Sequence, residues 1–134
     1  MKSDARDRGA TAVEVALLMP VILVLIMGII DFGFALRAQI TLTQAAREGV
    51  RVAALKQPGA AARTQTAADK LNGSVGVSVS SCPATGTPGA SNATVTVTYS
   101  YEFITPVGGL AGMFGGASFG SPIALKATGV MPCE

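Results

Sequence analysis

Hydrophobic positions change their spacing along this chain, and each spacing predicts a different element. From Val15 to Ile30 they run on without a single charged residue. Residues 10–30 as a helix would extend about 31 Å at 1.5 Å per residue, close to the roughly 30 Å hydrocarbon thickness of a bilayer. Pro20 lies inside the run. An interior proline costs about 3 kcal/mol in water, but a membrane helix tolerates it where neighbours satisfy the freed carbonyl. The competing reading is a buried helix of a soluble domain, yet 134 residues leave little chain with which to wrap so long an uncharged stretch. A transmembrane helix over residues 10–30 is predicted. The next segment, "DFGFALRAQITLTQAAREGVRVAALKQ" (31–57), holds few breakers before Pro58, so the helix is expected to continue beyond the bilayer. Leu36, Ile40, Val50 and Ala54 fall within about 80° of one another on its wheel, although Arg47 interrupts that stripe. Glu48 is placed to pair with Arg51 at i,i+3, worth a few tenths of a kcal/mol.

After the break at "PGAA" (58–61), "ARTQTAADKLNG" predicts a short helix ended by Asn72-Gly73. The period then falls from 3.6 to 2. Val75, Val77 and Val79 share one face of "SVGVSVS" (74–80). Val95, Val97, Tyr99, Tyr101 and Phe103 share one face of "ATVTVTYSYEF" (93–103), and Ile123, Leu125, Ala127 and Gly129 one face of "PIALKATGV" (122–130). These are half-buried strands. "CPATGTPGASN" and "TPVGGLAGMFGGASFGSP" between them are rich in Gly, Pro and Ser and are expected to be loops. Leu110, Met113, Phe114 and Phe119 in the second either form a mobile contact surface or tuck under the sheet, and tucking is expected. Three short strands need a cover, which the continuation of the long helix or the short helix can provide. The predicted fold class is α+β, with a long N-terminal transmembrane helix running into a small domain of a short helix and about three antiparallel strands.

Composition narrows the function. Charged residues make up only 13% of the chain, against roughly 25% in a soluble domain, and the deficit is concentrated in the apolar run. Net charge is +2, with no basic cluster beyond Arg47, Arg51 and Lys56, so a nucleic-acid partner has no support. There is no histidine, hence no ordinary Ser-His or Cys-His nucleophile pair and no histidine for a zinc site. "GGLAGMFGG" lacks the ending of a phosphate-binding loop. No enzymatic activity, cofactor or metal is expected. Cys82 and Cys133 are the two cysteines. An exported C-terminal part predicts one disulfide between them, closing a loop of about fifty residues and stabilising by roughly 4 kcal/mol; the alternative is two buried free thiols.

One carboxylate, Glu14, sits in the first turns of the apolar helix. At a bilayer's centre it would cost about 2.5–3.5 kcal/mol, less near the end, where snorkelling is open to it. The head "MKSDARDRG" before it carries Lys2, Arg6 and Arg8, which favours a cytoplasmic N-terminus, although Arg37, Arg47 and Arg51 on the far side weigh against it. Gly9-Ala10 is a small-residue junction between head and apolar run, and Glu14 is the fifth residue counted from Ala10.

"RG" followed by "ATAVE" and an apolar run resembles the class III signal of type IV pilins and pseudopilins. With "GIIDFGFAL" (28–36) and "TQAAREGVRVAA" (43–54), the chain closely resembles TadE-like proteins, the pseudopilins or minor pilins of the Tad (tight adherence) pilus system. The close resemblance covers residues 8–54; Val15 departs from it, since an aromatic often follows the glutamate in Tad-type signals. It implies that a prepilin peptidase cuts between Gly9 and Ala10, leaving residues 1–9 as a cytoplasmic leader. Residues 10–30 would then be the membrane helix, 31–57 its extramembrane continuation and 58–134 a small exported domain. Glu14 matches the acid that pilins carry at the fifth mature position, where a neighbour's new α-amine can pair with it and help set the stagger between subunits. Asp31 and Gly33 mark the exit from the bilayer, and Asp31, Gly33, Arg47 and Glu48 are candidate helix or subunit contacts. An acid of the globular part, such as Asp69 or Glu102, is the expected partner of Arg47. Implied partners are the peptidase, the major pilin, other minor pilins, the inner-membrane assembly platform and the membrane. The implied location is the bacterial cytoplasmic (inner) membrane, in a single pass, or the pilus itself. A sheet domain suits a minor subunit better than the very short major pilin. The alternative is a membrane-anchored or secreted adhesin or binding module unrelated to a pilus.

Overall fold

The computed structural model describes residues 4–85, 87–113, 115 and 120–134, with side chains from Gly9 onward except those of residues 110 and 111. The elements are α1 (Asp4–Ala54), α2 (Ala60–Ala68), β1 (Val75–Ser80), β2 (Asn92–Tyr101), α3 (Val107–Met113) and β3 (Ile123–Pro132). The fold is α+β, as the change of period predicts. The chain divides into two compact units: the helix up to Gly33 with Phe103–Ser121, and Phe34–Glu102 with Pro122–Glu134.

In the second unit the strands form an antiparallel meander of order β1-β2-β3. Val77 pairs with Val97, and Val97 with Ala127, across the three strands. Alternation puts Ala93, Val95 and Val97 of the central strand in the core, with Ala127 beside them, against Leu42, Ala46, Val50 and Ala53 of α1. Ala60 of α2 joins the same cluster, so both helices cover the sheet. The opposite face is lined by threonines, among them Thr96 and Thr128, whose hydroxyls lie 3.3 Å apart.

The covering face of α1 differs from the expected one. Of the expected stripe, Val50 and Ala54 are buried but Leu36 and Ile40 are exposed, and the other buried positions are Ala38, Leu42, Ala45, Ala46, Gly49 and Ala53. A search for large aliphatics at helical spacing overlooks a face built mainly from alanine and glycine. Small residues let backbones approach: a Cβ on Gly129 of β3 would lie 2.7 Å from the carbonyl oxygen of Ala46. α1 ends where Gln57 N–H donates to the Val52 carbonyl and Lys56 N–H to that of Ala53, with Lys56 at φ 55. This is the hydrogen-bond pattern of a Schellman C-cap, and Pro58 follows it.

α2 occupies residues 60–68 rather than the expected 62–73: Gly59 (φ 88) turns the chain and Ala60-Ala61 already belong to the helix. The helix is over by Asp69, ahead of Asn72-Gly73. Cys82 and Cys133 form a disulfide with their Cα atoms 5.8 Å apart and 51 residues of separation. Backbone bonds fasten the same corner, from Cys133 N–H to Ser91 O and from Gly89 N–H to Cys133 O.

In the first unit, α1 from Gly9 is long and apolar enough to cross a membrane, and none of its most apolar stretch is buried. Pro20 lies within it without ending the helix. The segment expected to be a loop contains a seven-residue helix, α3. Val107 is buried there, whereas Met113 is 80% exposed and tucks under nothing. Phe114 and Phe119, expected to tuck as well, lie outside the described residues, as does the side chain of Leu110. Gly120 (φ 87) lets the chain pass the backbone of Gly108, where a Cβ would meet the Gly108 Cα at 2.6 Å.

Candidate functional site

Asp31 is the first acid after the uncharged run, and its surroundings could not be read from its neighbours in sequence. It is 1% exposed. Ile104 N–H donates to its Oδ1 at 3.0 Å and Thr105 N–H to the same oxygen at 3.2 Å, while the Thr105 hydroxyl donates to Oδ2. A carboxyl group withdrawn from water is costly unless its oxygens find donors, and bonds to charged groups contribute about 1.5–3 kcal/mol each. Three donors satisfy both oxygens. Asp31 therefore fastens the turn before α3 to the end of the apolar helix, as an intrachain anchor. A sequence signal does exist: the stretch from Phe103 to Leu125 contains no charged residue, so an acid held to it must be met by backbone N–H groups or hydroxyls.

Gly33, the other residue placed at the exit, is exposed, and a Cβ there would meet nothing within 4 Å. No described part of the chain packs on it. Gly9 and Ala10 are exposed within α1, as is Glu14 one turn beyond Ala10. Ala10 and Glu14 are four residues apart, so they lie on one side of the helix. Glycine in a helix interior is about 1 kcal/mol less favourable than alanine, which makes Gly9 a local weak point of this helix.

Arg47 is exposed, and among the described residues neither Asp69 nor Glu102 pairs with it. Glu48 pairs with Arg63 of α2 at 3.6 Å rather than with Arg51. Both side chains are largely solvated, and such pairs are worth little. The "TQAAREG" segment thus has two sides: Ala45, Ala46 and Gly49 pack inward, while Arg47 and Glu48 face out. The pairing that the sequence left open at Cys82 and Cys133 is closed as a disulfide. No group of three or more His, Cys, Asp or Glu able to hold a metal occurs among the described residues.

The chain's most distinctive surface is therefore the bare apolar helix, with an acid in its first turns and a second acid tying a turn to its far end. The family described as "TadE-like protein" matches residues 9–51; the match includes Gly9, Ala10, Glu14, Asp31, Gly33, Arg47 and Glu48 and stops before α2. No curated protein and no solved structure matches the chain.

Proposed function

We propose that this chain, TadE-like over residues 9–51, is a minor pilin or pseudopilin that takes part in assembly of a Tad pilus. One observation carries the proposal: an apolar helix of bilayer length whose most apolar stretch none of the described residues buries, opening with Gly9-Ala10 and Glu14. Its work is to be processed and assembled, with no catalysis of its own. A prepilin peptidase on the cytoplasmic face hydrolyses the bond between Gly9 and Ala10. Residues 1–9 leave, residues 10–30 stay in the inner membrane, 31–57 continue the helix outside it, and 58–134 belong to the exported domain. The disulfide supports this orientation, since such bonds persist on the oxidising side of a membrane.

Cleavage gives Ala10 a positively charged amine at the start of the helix. Glu14 of a neighbouring subunit pairs with it, so that each charge lowers the other's cost in lipid. The pair is satisfied only at one axial offset, which gives the acid a part in setting the stagger between subunits. Arg47 and Gly33, which have no described partner within the chain, are candidates for contacts with the major pilin, another minor pilin or the assembly platform.

The test is the N-terminal sequence of the mature protein taken from its native membrane. The expected start is Ala10, lost in Gly9→Val. Glu14→Gln should still be cut but should fail to co-purify with pilus subunits. A start at Met1 or near Leu36 would overturn the proposal and leave an anchored or secreted binding module.

A further inference from the structure

We propose that the turn at Ile104–Pro106 and α3 form a second membrane contact, resting among lipid headgroups at the level where α1 leaves the bilayer, with Asp31 as the residue that holds them there. The inference rests on the reading of residues 10–30 as a membrane helix and goes beyond it, because nothing in a single-pass anchor requires the segment after β2 to touch lipid.

Three observations meet at this place. Asp31 follows the apolar run directly and receives hydrogen bonds from Ile104 and Thr105, so the turn is fixed to the residue at which the run ends. The chain from Phe103 to Leu125 has no charged residue, unusual for a stretch that includes exposed turns. Among its described apolar side chains Val107 is buried, but Ile104 is 64% and Met113 80% exposed. On α1, Ile29 and Phe32 beside Asp31 are also exposed, and such apolar side chains suit the face that an interfacial segment turns toward the acyl chains.

The depth follows from the backbone. A seven-residue helix leaves most of its terminal N–H and C=O groups without intrahelical partners. Hydrocarbon does not tolerate such groups, whereas the hydrated headgroup layer does. The segment is therefore assigned to the interface and not to the bilayer core. Lipid is favoured over a second subunit as the occupant because the surface is continuous with the span, and because its anchor is intrachain and in place before any partner arrives.

The chain has no tryptophan, so a single introduced indole reports on one position. The full-length protein would be reconstituted in phosphatidylcholine–phosphatidylglycerol vesicles as Met113→Trp, as Leu23→Trp for the middle of the span and as Thr66→Trp for an exposed site on α2. Lipids brominated near the headgroup or near the chain ends serve as quenchers. Expected for Met113→Trp are a blue-shifted emission and strongest quenching by bromine placed about 5–10 Å below the headgroups, the depth reached by interfacial helices. Leu23→Trp should respond most to the deeper bromines, and Thr66→Trp only to aqueous iodide. Adding Asp31→Ala should abolish lipid quenching of Met113→Trp and leave that of Leu23→Trp unchanged. If Met113→Trp behaves like Thr66→Trp, or is blue-shifted yet insensitive to brominated lipid, the membrane contact is refuted, in the second case in favour of a protein neighbour. Quenching that survives Asp31→Ala removes Asp31 from its holding role. An unresponsive Leu23→Trp would refute the membrane helix itself, and the inference with it.

Discussion

The two halves of α1 are both hydrophobic, but in different ways. Up to Ile30 the helix carries large aliphatics all round, and Leu17 is 71% and Ile29 65% exposed. From Ala38 to Ala54 one side is apolar and mostly alanine, with Leu42 and Ala45 fully buried. The first half needs a surrounding of its own kind supplied from outside, since among the described residues most of its large side chains stay exposed. The second half needs closeness: alanine and glycine contribute little area per residue, but they let a sheet approach to backbone distance, as Gly129 does over Ala46. Hydropathy alone does not distinguish these solutions. Side-chain size and its distribution around the helix do.

The comparison can be broken most forcefully at the disulfide. Replacing Cys82 and Cys133 by serine should lower the stability of the sheet-bearing unit by about 4 kcal/mol. Hydrogen exchange in detergent should then show lost protection over residues 42–54 with residues 15–30 unchanged; equal loss in both halves would mean that they are not independent. A sharper contrast comes from one substitution made twice. Leu42→Ala, at a fully buried site, should destabilise the domain to urea by about 3 kcal/mol, within the 2–5 found for buried leucines. Leu18→Ala, on the bare half, should leave the urea midpoint where it is. The smallest expected effects are at glycines and have opposite signs. Gly129→Ala should cost about 1–3 kcal/mol, because the Ala46 backbone cannot move aside. Gly33→Ala, where a Cβ meets nothing, should strengthen the helix by about 0.5–1 kcal/mol, read as slower exchange of neighbouring amides.

Much of the architecture was legible in the sequence because it rests on period and run length. All three strands lie within about two residues of their expected limits, and the uncharged run, the continuing helix and the cysteine pairing under export all have counterparts in the structure. What was not legible depends on contact between distant segments. Leu36 and Ile40 satisfied a helical stripe, yet the sheet covers the alanine side, and only the position of β2 and β3 decides between them. Glu48 had a local partner in Arg51 but takes Arg63, because α2 folds back beside it. α3 was hidden by its glycines, which weaken local helix propensity. Asp31 looked like an ordinary boundary residue, since its donors lie 73 and 74 residues further along the chain. Among the candidate site residues, Gly9, Ala10 and Glu14 were chosen by their order relative to the apolar run, a criterion that needs no tertiary structure.

The alanine face of α1 also bears on the order of events during synthesis. Leu42, Ala46 and Val50 are made roughly fifty residues before Val95 and Val97, their partners in the core. At about 5–20 residues per second this is an interval of roughly 3–10 s. During that time the helix is complete but has nothing to pack on. A leucine-rich face would spend the interval as an adhesive surface, open to chaperones and to other nascent chains. One made mainly of alanine and glycine exposes little apolar area while it waits, and becomes strongly cohesive only once β2 and β3 arrive to match its contour.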